Sequence, residues 1–173
     1  MAYTPKYYLD LRTTVSTAAS DFDNDLNLND HILKTAGQPE LIDAAASYDL
    51  KPNDSGKIVV LNAAAGCALT LPPAKAGLTY RFISQTNLSS NSYTITAKSG
   101  DLLTGGVLLV DDTTPEAAAM FKPDVSDDLI VTFNGTTTGG EIGTDITITA
   151  LSDSRWYVSG IVAANGNLAT PFS

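Results

Sequence analysis

Apolar and polar side chains alternate along much of the chain after residue 55. In one stretch, Leu78, Tyr80 and Phe82 are separated by the polar residues Thr79 and Arg81. Successive side chains of a strand point to opposite faces of its sheet. The alternation therefore predicts strands with one buried face and one face toward solvent.

Eight β-rich runs follow one another from residue 57 onwards, separated by segments rich in Gly, Pro, Asn, Asp and Ser. Short strands with turn residues between them are typical of a sandwich or a barrel. We therefore predict an all-β domain, a jelly-roll-like two-sheet β-sandwich of about eight strands. The runs are 57–62, 67–71, 78–84, 92–97, 106–110, 128–134, 141–150 and 155–162.

Two short segments have a composition that also suits a helix. Residues 39–48 (PELIDAAASY) and 115–121 (PEAAAMF) both begin with Pro and contain consecutive alanines. Pro is accepted in the first turn of a helix, and Ala is the best helix former. We note both as possible helices in an otherwise β-rich chain.

The first 54 residues differ from the rest in having weak apolar alternation and several Asp and Asn residues. We predict an N-terminal extended arm or subsidiary β-layer over residues 1–54 and the sandwich over 55–173. Aromatic and large apolar side chains are favoured at protein interfaces. The arm is therefore a candidate docking segment, with packing of its tyrosines against the sandwich as the alternative. Its candidate residues are Tyr3, Tyr7, Tyr8, Leu9 and Leu11.

Charge argues against several classes of partner. Ten basic residues against nineteen acidic ones give a net charge of −9, which repels a phosphate backbone, so we expect no nucleic-acid partner. No stretch approaches the roughly 18 apolar residues of a membrane helix, and the amino terminus lacks the pattern of a signal peptide. We expect synthesis in a cytoplasm and no membrane partner.

The residues most often used in catalysis are scarce. Cys67 and His31 are the single cysteine and the single histidine, and no G-x-S-x-G motif is present. We interpret Cys67, within the apolar run CALTL, as a small buried hydrophobe, and Trp156 as a core anchor. The sequence predicts a protein that is not an enzyme and that uses no cofactor or zinc ion.

Acidic residues offer weaker candidates for chemistry. Asp21, Asp23 and Asp25 alternate as calcium ligands can, but an EF-hand loop would need Gly in place of Leu26 and an acid in place of Ile32. A solvated turn is the simpler interpretation, and cation binding by the three stays open.

Two acidic pairs lie further along the chain. Asp111 with Asp112 and Asp127 with Asp128 fit turns better than the carboxylates of a glycosidase, because neighbours on a strand point apart.

Part of the chain resembles a known module. The run SGKIVVLNAAAGCALTLPPAKAGLTYRFI, then SYTITAKSGDLLTGG, then SRWYVSGIV resembles a β-sandwich module of tailed-bacteriophage structural proteins, over about residues 55–162. The matching elements are Thr70, Leu71 and Pro72; Ala76, Gly77, Thr79, Tyr80 and Phe82; Thr94, Ile95 and Ala97; Gly100 and Asp101; and Trp156.

This resemblance implies a virion component, commonly a homotrimer. We expect a capsid decoration, or cement, protein that binds the major capsid protein at the outer capsid surface and stabilises the particle. The alternative is a tail or head-fibre component that binds the host surface. A carbohydrate-active enzyme on a jelly roll is a third reading, because one fold can host several functions.

Overall fold

A computed structural model describes residues 25–28, 31–34, 39–111, 113 and 116–173. The chain divides into two compact units, Met1–Gln38 and Pro39–Ser173. In the first unit, β1 (Asp25–Leu28) and β2 (His31–Lys34) form an antiparallel pair in which Asp25 lies opposite Lys34 and Leu28 opposite His31.

The second unit contains two β-sheets. The seven-stranded sheet has the order β10-β9-β13-β12-β7-β5-β3 and the four-stranded sheet the order β11-β8-β6-β4. One short 3-10 helix covers Pro52–Asp54. The strands are β3 (Leu41–Asp43), β4 (Tyr48–Asp49), β5 (Ile58–Leu61), β6 (Ala68–Thr70), β7 (Thr79–Ser84), β8 (Tyr93–Thr96), β9 (Leu102–Asp111), β10 (Ala117–Phe121), β11 (Ile130–Phe133), β12 (Asp145–Ser152) and β13 (Arg155–Ala164).

The first six strands of this unit wind as a parallel coil. Successive strands from β3 to β8 alternate between the two sheets, and each pairs in parallel with the strand two before or after it. Among the later strands, β9, β12 and β13 are longer, and most of the pairs that the later strands form are antiparallel. β12 pairs antiparallel with both β7 and β13, and β10 pairs antiparallel with β9.

The core lies between the inward faces of the two sheets. Its largest buried side chains include Trp156, Tyr80, Tyr93, Phe82 and Phe133. The rings of Tyr80 and Trp156 lie 5.9 Å apart at 50°, a tilted arrangement that aromatic pairs favour. Trp156 is therefore a core anchor, as the sequence predicts.

The all-β, two-sheet fold class is confirmed, and each of the eight predicted runs overlaps one strand, β5 to β9 and β11 to β13. The connections differ from those of a jelly roll, whose strands pair antiparallel, because five of the nine neighbouring pairs are parallel. The chain also divides after Gln38 rather than after residue 54, and residues 41–49 supply β3 and β4 to the sandwich.

The two possible helices are wrong. Residues 39–48 contain β3 and the first residue of β4, and residues 117–121 form β10. Helix propensity is a weak preference that tertiary pairing overrides. Each of these segments lies at a sheet edge, where backbone hydrogen bonds to one neighbouring strand decide its conformation.

Candidate partner-binding surface

An apolar surface covers one end of the outer face of the seven-stranded sheet. Met120 on β10 lies opposite Leu108 on β9, which in turn lies opposite Ile161 on β13. The exposed fractions of these residues are 75%, 40% and 53%. Ala118 and Val110, also exposed, form the next row. We call these five residues the apolar face.

Strand β10 is unusual because solvent reaches both of its sides. Its sequence is Ala-Ala-Ala-Met-Phe, and three of these residues are exposed while the other two are only partly buried. An edge strand in a soluble protein is normally short, charged or covered, because its free backbone groups can pair with another chain. Strand β10 carries neither a charge nor a proline.

A glycine allows β10 to lie close to β9. A Cβ atom at Gly106 would stand 2.7 Å from the Phe121 carbonyl oxygen and 3.4 Å from Met120 Cε. Real Cβ atoms do not approach backbone oxygen so closely, so a side chain at 106 would displace β10. The missing side chain at 106 thus helps to hold Met120 in the apolar face.

A polar strip adjoins the apolar face on the same side of the sheet. The Arg81 guanidinium donates two hydrogen bonds to the Asp145 carboxylate, one of them 2.8 Å long from Nε to Oδ1. These bonds hold the pKa of Asp145 below its ordinary value. Thr147 and Ser159 lie opposite each other beside this pair and line the same shallow depression.

Two of the paired carboxylates that the sequence singles out, Asp111 and Asp128, accept hydrogen bonds from nearby groups. Asp111, at the end of β9, accepts hydrogen bonds from Thr113 N and Oγ1 and from Gly166 N. The Thr113 bonds lower its pKa most. Asp128 accepts a 2.6 Å hydrogen bond from Asp124 N. Both residues therefore hold turns, whereas Asp112 lies outside the described residues.

The most enclosed charged cluster lies near the start of the sandwich. Asp54 is 5% exposed and accepts hydrogen bonds from Lys57 Nζ at 3.0 Å, Lys51 N at 2.9 Å and the Tyr48 hydroxyl at 3.1 Å. Burial opposes ionisation of Asp54, but these donors outweigh it and lower its pKa. Lys57 also contacts Glu40 at 3.1 Å, so the cluster ties together residues beside β3 and β4.

The predicted docking arm, Tyr3, Tyr7, Tyr8, Leu9 and Leu11, lies outside the described residues, as do Asp21 and Asp23. Asp25 is the first residue of β1 and His31 the first of β2.

Cys67 is buried, as predicted. Its thiol donates a 3.4 Å hydrogen bond to the Ala44 carbonyl, and burial raises its pKa.

Within the described ranges, no three His, Cys, Asp or Glu side chains converge as metal ligands. The same part of the chain has no helix with the length and apolar composition of a membrane span. No protein-family model, curated protein or solved structure matches this chain.

The apolar face was not predicted from the sequence. Its signal was present in the run Val107–Val110, where four apolar residues follow one another without alternation. Consecutive apolar residues on a strand indicate that both faces are apolar. The second signal, the apolar run of β10, was interpreted as a possible helix.

Proposed function

We propose that the protein is a non-enzymatic virion structural protein that decorates the outer surface of a capsid and stabilises it. The observation that carries the proposal is the apolar face, with Leu108, Met120 and Ile161 exposed side by side. Contiguous exposed apolar surface on a soluble domain marks a site of protein association. The major capsid protein is the proposed partner.

The binding free energy expected for one such contact is modest, which suits a protein that binds the capsid in many copies. Burying apolar surface contributes about 25 cal/mol per Å², so a patch of this kind gives a useful but limited affinity per copy. Many bound copies, each contacting neighbouring capsid subunits, add their contributions and oppose separation of those subunits. The net charge of −9 keeps free copies apart before they bind.

The resemblance of residues 55–162 to β-sandwich modules of tailed-phage structural proteins supports a virion location. The two-sheet sandwich is compatible with it, although fold alone does not decide function. In this proposal the protein is made in the host cytoplasm and then binds to the capsid surface.

The test uses particles of the virus that encodes the chain, stripped of this protein. We expect the purified full chain to rebind and to raise the temperature at which the particles release their genome. Ile161→Asp should weaken rebinding at least about tenfold, because it places a charge in the contact. Leu151→Asp is the matched control, since Leu151 is equally exposed at the far end of β12. Particles that neither bind the chain nor gain stability would exclude this function.

The second candidate is a tail or head-fibre component that binds the host surface. The polar strip favours it, because Arg81, Thr147 and Ser159 offer donors and acceptors of the kind that recognise polar groups such as sugar hydroxyls. Copy number separates the two functions: hundreds of copies per particle indicate decoration, and a few to a few tens indicate a tail or fibre part.

A further inference from the structure

Three of the four sheet edges in the second unit are short or covered. β3 has three residues and includes Asp43, and β4 has two and includes Asp49. The edge of β11 is covered by residues 171–173, which exchange backbone hydrogen bonds with it. In the described part of the chain, only β10 presents a longer edge with no charge and no covering segment.

We propose that β10 of one copy pairs antiparallel with β10 of a second copy, with Ala119 of each on the two-fold axis. In this register Ala118 lies opposite Met120 of the other copy, and Ala117 lies opposite Phe121. Each large side chain therefore meets a small one, so the two strands approach without a clash. The free backbone groups of both edges gain partners in the same step.

The charges beside β10 select this register and this partner. Glu116 and Lys122 flank the strand, and both are exposed. When Ala119 pairs with itself, Glu116 of each copy lies opposite Lys122 of the other, which gives two symmetrical ion pairs. Residues directly opposite in an antiparallel pair share one face, so these side chains meet. A shift of one residue would separate both ion pairs, because Glu116 would then lie opposite Pro123 or Phe121.

Within one copy Glu116 and Lys122 do not contact each other directly. Five residues lie between them, so six steps of about 3.3 Å place them about 20 Å apart. A second copy paired in this register supplies each of them with an opposite charge.

The resulting assembly is a closed dimer with a continuous 14-stranded sheet, seven strands from each copy. A two-fold contact uses the same surface on both subunits and closes at two. This differs from the homotrimer that the sequence resemblance implies. The two apolar faces end up side by side, and the inference does not depend on what they bind.

A charge exchange tests the pairing with the full chain. Sedimentation equilibrium should give a dimer mass for the unmodified protein. Glu116→Lys alone and Lys122→Glu alone should each weaken the dimer by about tenfold or more, because like charges then face each other. The double variant E116K/K122E should restore the dimer to within about threefold, since the pairs are re-formed with reversed sign.

The opposite results are equally clear. A monomer or trimer mass for the unmodified protein, or a double variant as weak as either single one, would overturn the inference. Circular dichroism melting of each variant establishes that the fold is kept.

A crosslink provides a second measurement independent of charge. In the proposed register the two Ala119 Cα atoms lie about 4.5–5.5 Å apart, within the range of a disulfide. Ala119→Cys should therefore form a covalent dimer on mild oxidation. Ala117→Cys is the matched control, because its two copies would lie four residues out of register and too far apart. Equal crosslinking of both variants, or of neither, would contradict the register. A negative result in these dimer experiments would not bear on capsid binding, which the rebinding experiment tests separately.

Discussion

The edges at β10 and β11 show two ways in which a sandwich can end. At β11, Ile130 N donates a 2.8 Å hydrogen bond to the Ser173 carbonyl, Thr132 N donates a 2.7 Å bond to the Pro171 carbonyl, and Phe172 is inserted into the core at 5% exposure. At β10, the described residues contain no segment that covers the edge. One edge is closed by the C-terminal residues, whereas the other is built of apolar residues and has no covering segment among the described residues.

This difference indicates which residues stabilise the fold and which mediate association. Residues that cover β11 bury apolar area and satisfy backbone groups, so changes there should unfold the protein. Residues of β10 bury little in a single copy, so changes there should affect contacts between copies. The β3 and β4 edges form an intermediate case, because the Asp54 cluster holds the residues beside them.

The largest expected effect is at the covered edge. Phe172→Ala should lower the free energy of unfolding by about 4 kcal/mol, because it removes a buried aromatic ring and leaves a cavity. Urea denaturation measures the change. Val125→Ala, at an exposed loop position, is the control and should stay within about 0.5 kcal/mol. Equal effects of the two would show that the C-terminal segment does not stabilise the sandwich.

The Asp54 cluster should give a pH-dependent effect of slightly smaller size. Asp54→Asn should cost about 3 kcal/mol near neutral pH, since Lys57 Nζ, Lys51 N and the Tyr48 hydroxyl then lose a buried charged acceptor, while Lys57 keeps its contact with Glu40.

The sign of the pH dependence follows from the lowered pKa of Asp54 in the folded state. Its stabilisation is present above the ordinary value of 3.8 and is lost as the pH falls through the folded-state pKa. The variant and the unmodified protein should therefore converge in stability at acid pH. Denaturation curves across the pH range test this, with the exposed Asp49→Asn as control. A constant difference down to pH 2 would contradict it.

A smaller effect is expected where β10 joins β9. Gly106→Ala should cost roughly 2 kcal/mol, because the new methyl group meets the Phe121 carbonyl oxygen and must displace β10. Hydrogen exchange should show faster exchange of the β10 amides while the β12 amides keep their protection. Thr104→Ala, on the same face of β9, adds no atoms and should leave β10 unchanged. Uniform loss of protection across the sheet would mean that β10 is not an independent edge.

The smallest effect on stability is expected at Met120, the most exposed large side chain of β10. Met120→Lys should change the free energy of unfolding by no more than about 0.5 kcal/mol, because Met120 is 75% exposed. It should nevertheless weaken self-association, since a charge on an edge strand opposes pairing. Thermal melts and sedimentation of the same sample measure both quantities. A large loss of stability with no change in self-association would contradict the view that β10 serves association and not stability.

The sequence pattern was enough to predict eight of the eleven strands of the sandwich and, where side chains alternate clearly, the buried side of the strand. Tyr80, Phe82, Ile146 and Ile148 all point into the core, as their spacing requires. The same alternation arises in parallel and in antiparallel pairs, so it does not reveal which strands are neighbours. The pairing of β5 with β7 depends on contacts between distant segments, which no local pattern encodes.

The site was less predictable for a related reason. Met120 and Ile161 form one surface only because β10, β9 and β13 lie side by side, although 41 positions (161 minus 120) separate the two residues in the chain. The alanines of β10 favour a helix locally, and pairing with β9 overrides that preference. The side-by-side pairing of these three strands, rather than composition, therefore defines the apolar face.

The parallel pairing of β9 with β13 also has a consequence for folding kinetics. Leu102 pairs with Arg155, so 53 positions (155 minus 102) must be closed into a loop before this ladder forms. By contrast, only five residues of the sequence separate β9 from β10, and the coil from β3 to β8 adds one strand to its neighbour at a time. Contacts between residues distant in sequence form slowly. We therefore expect β9 and β10 to pair first and the docking of β13 onto β9 to limit the folding rate.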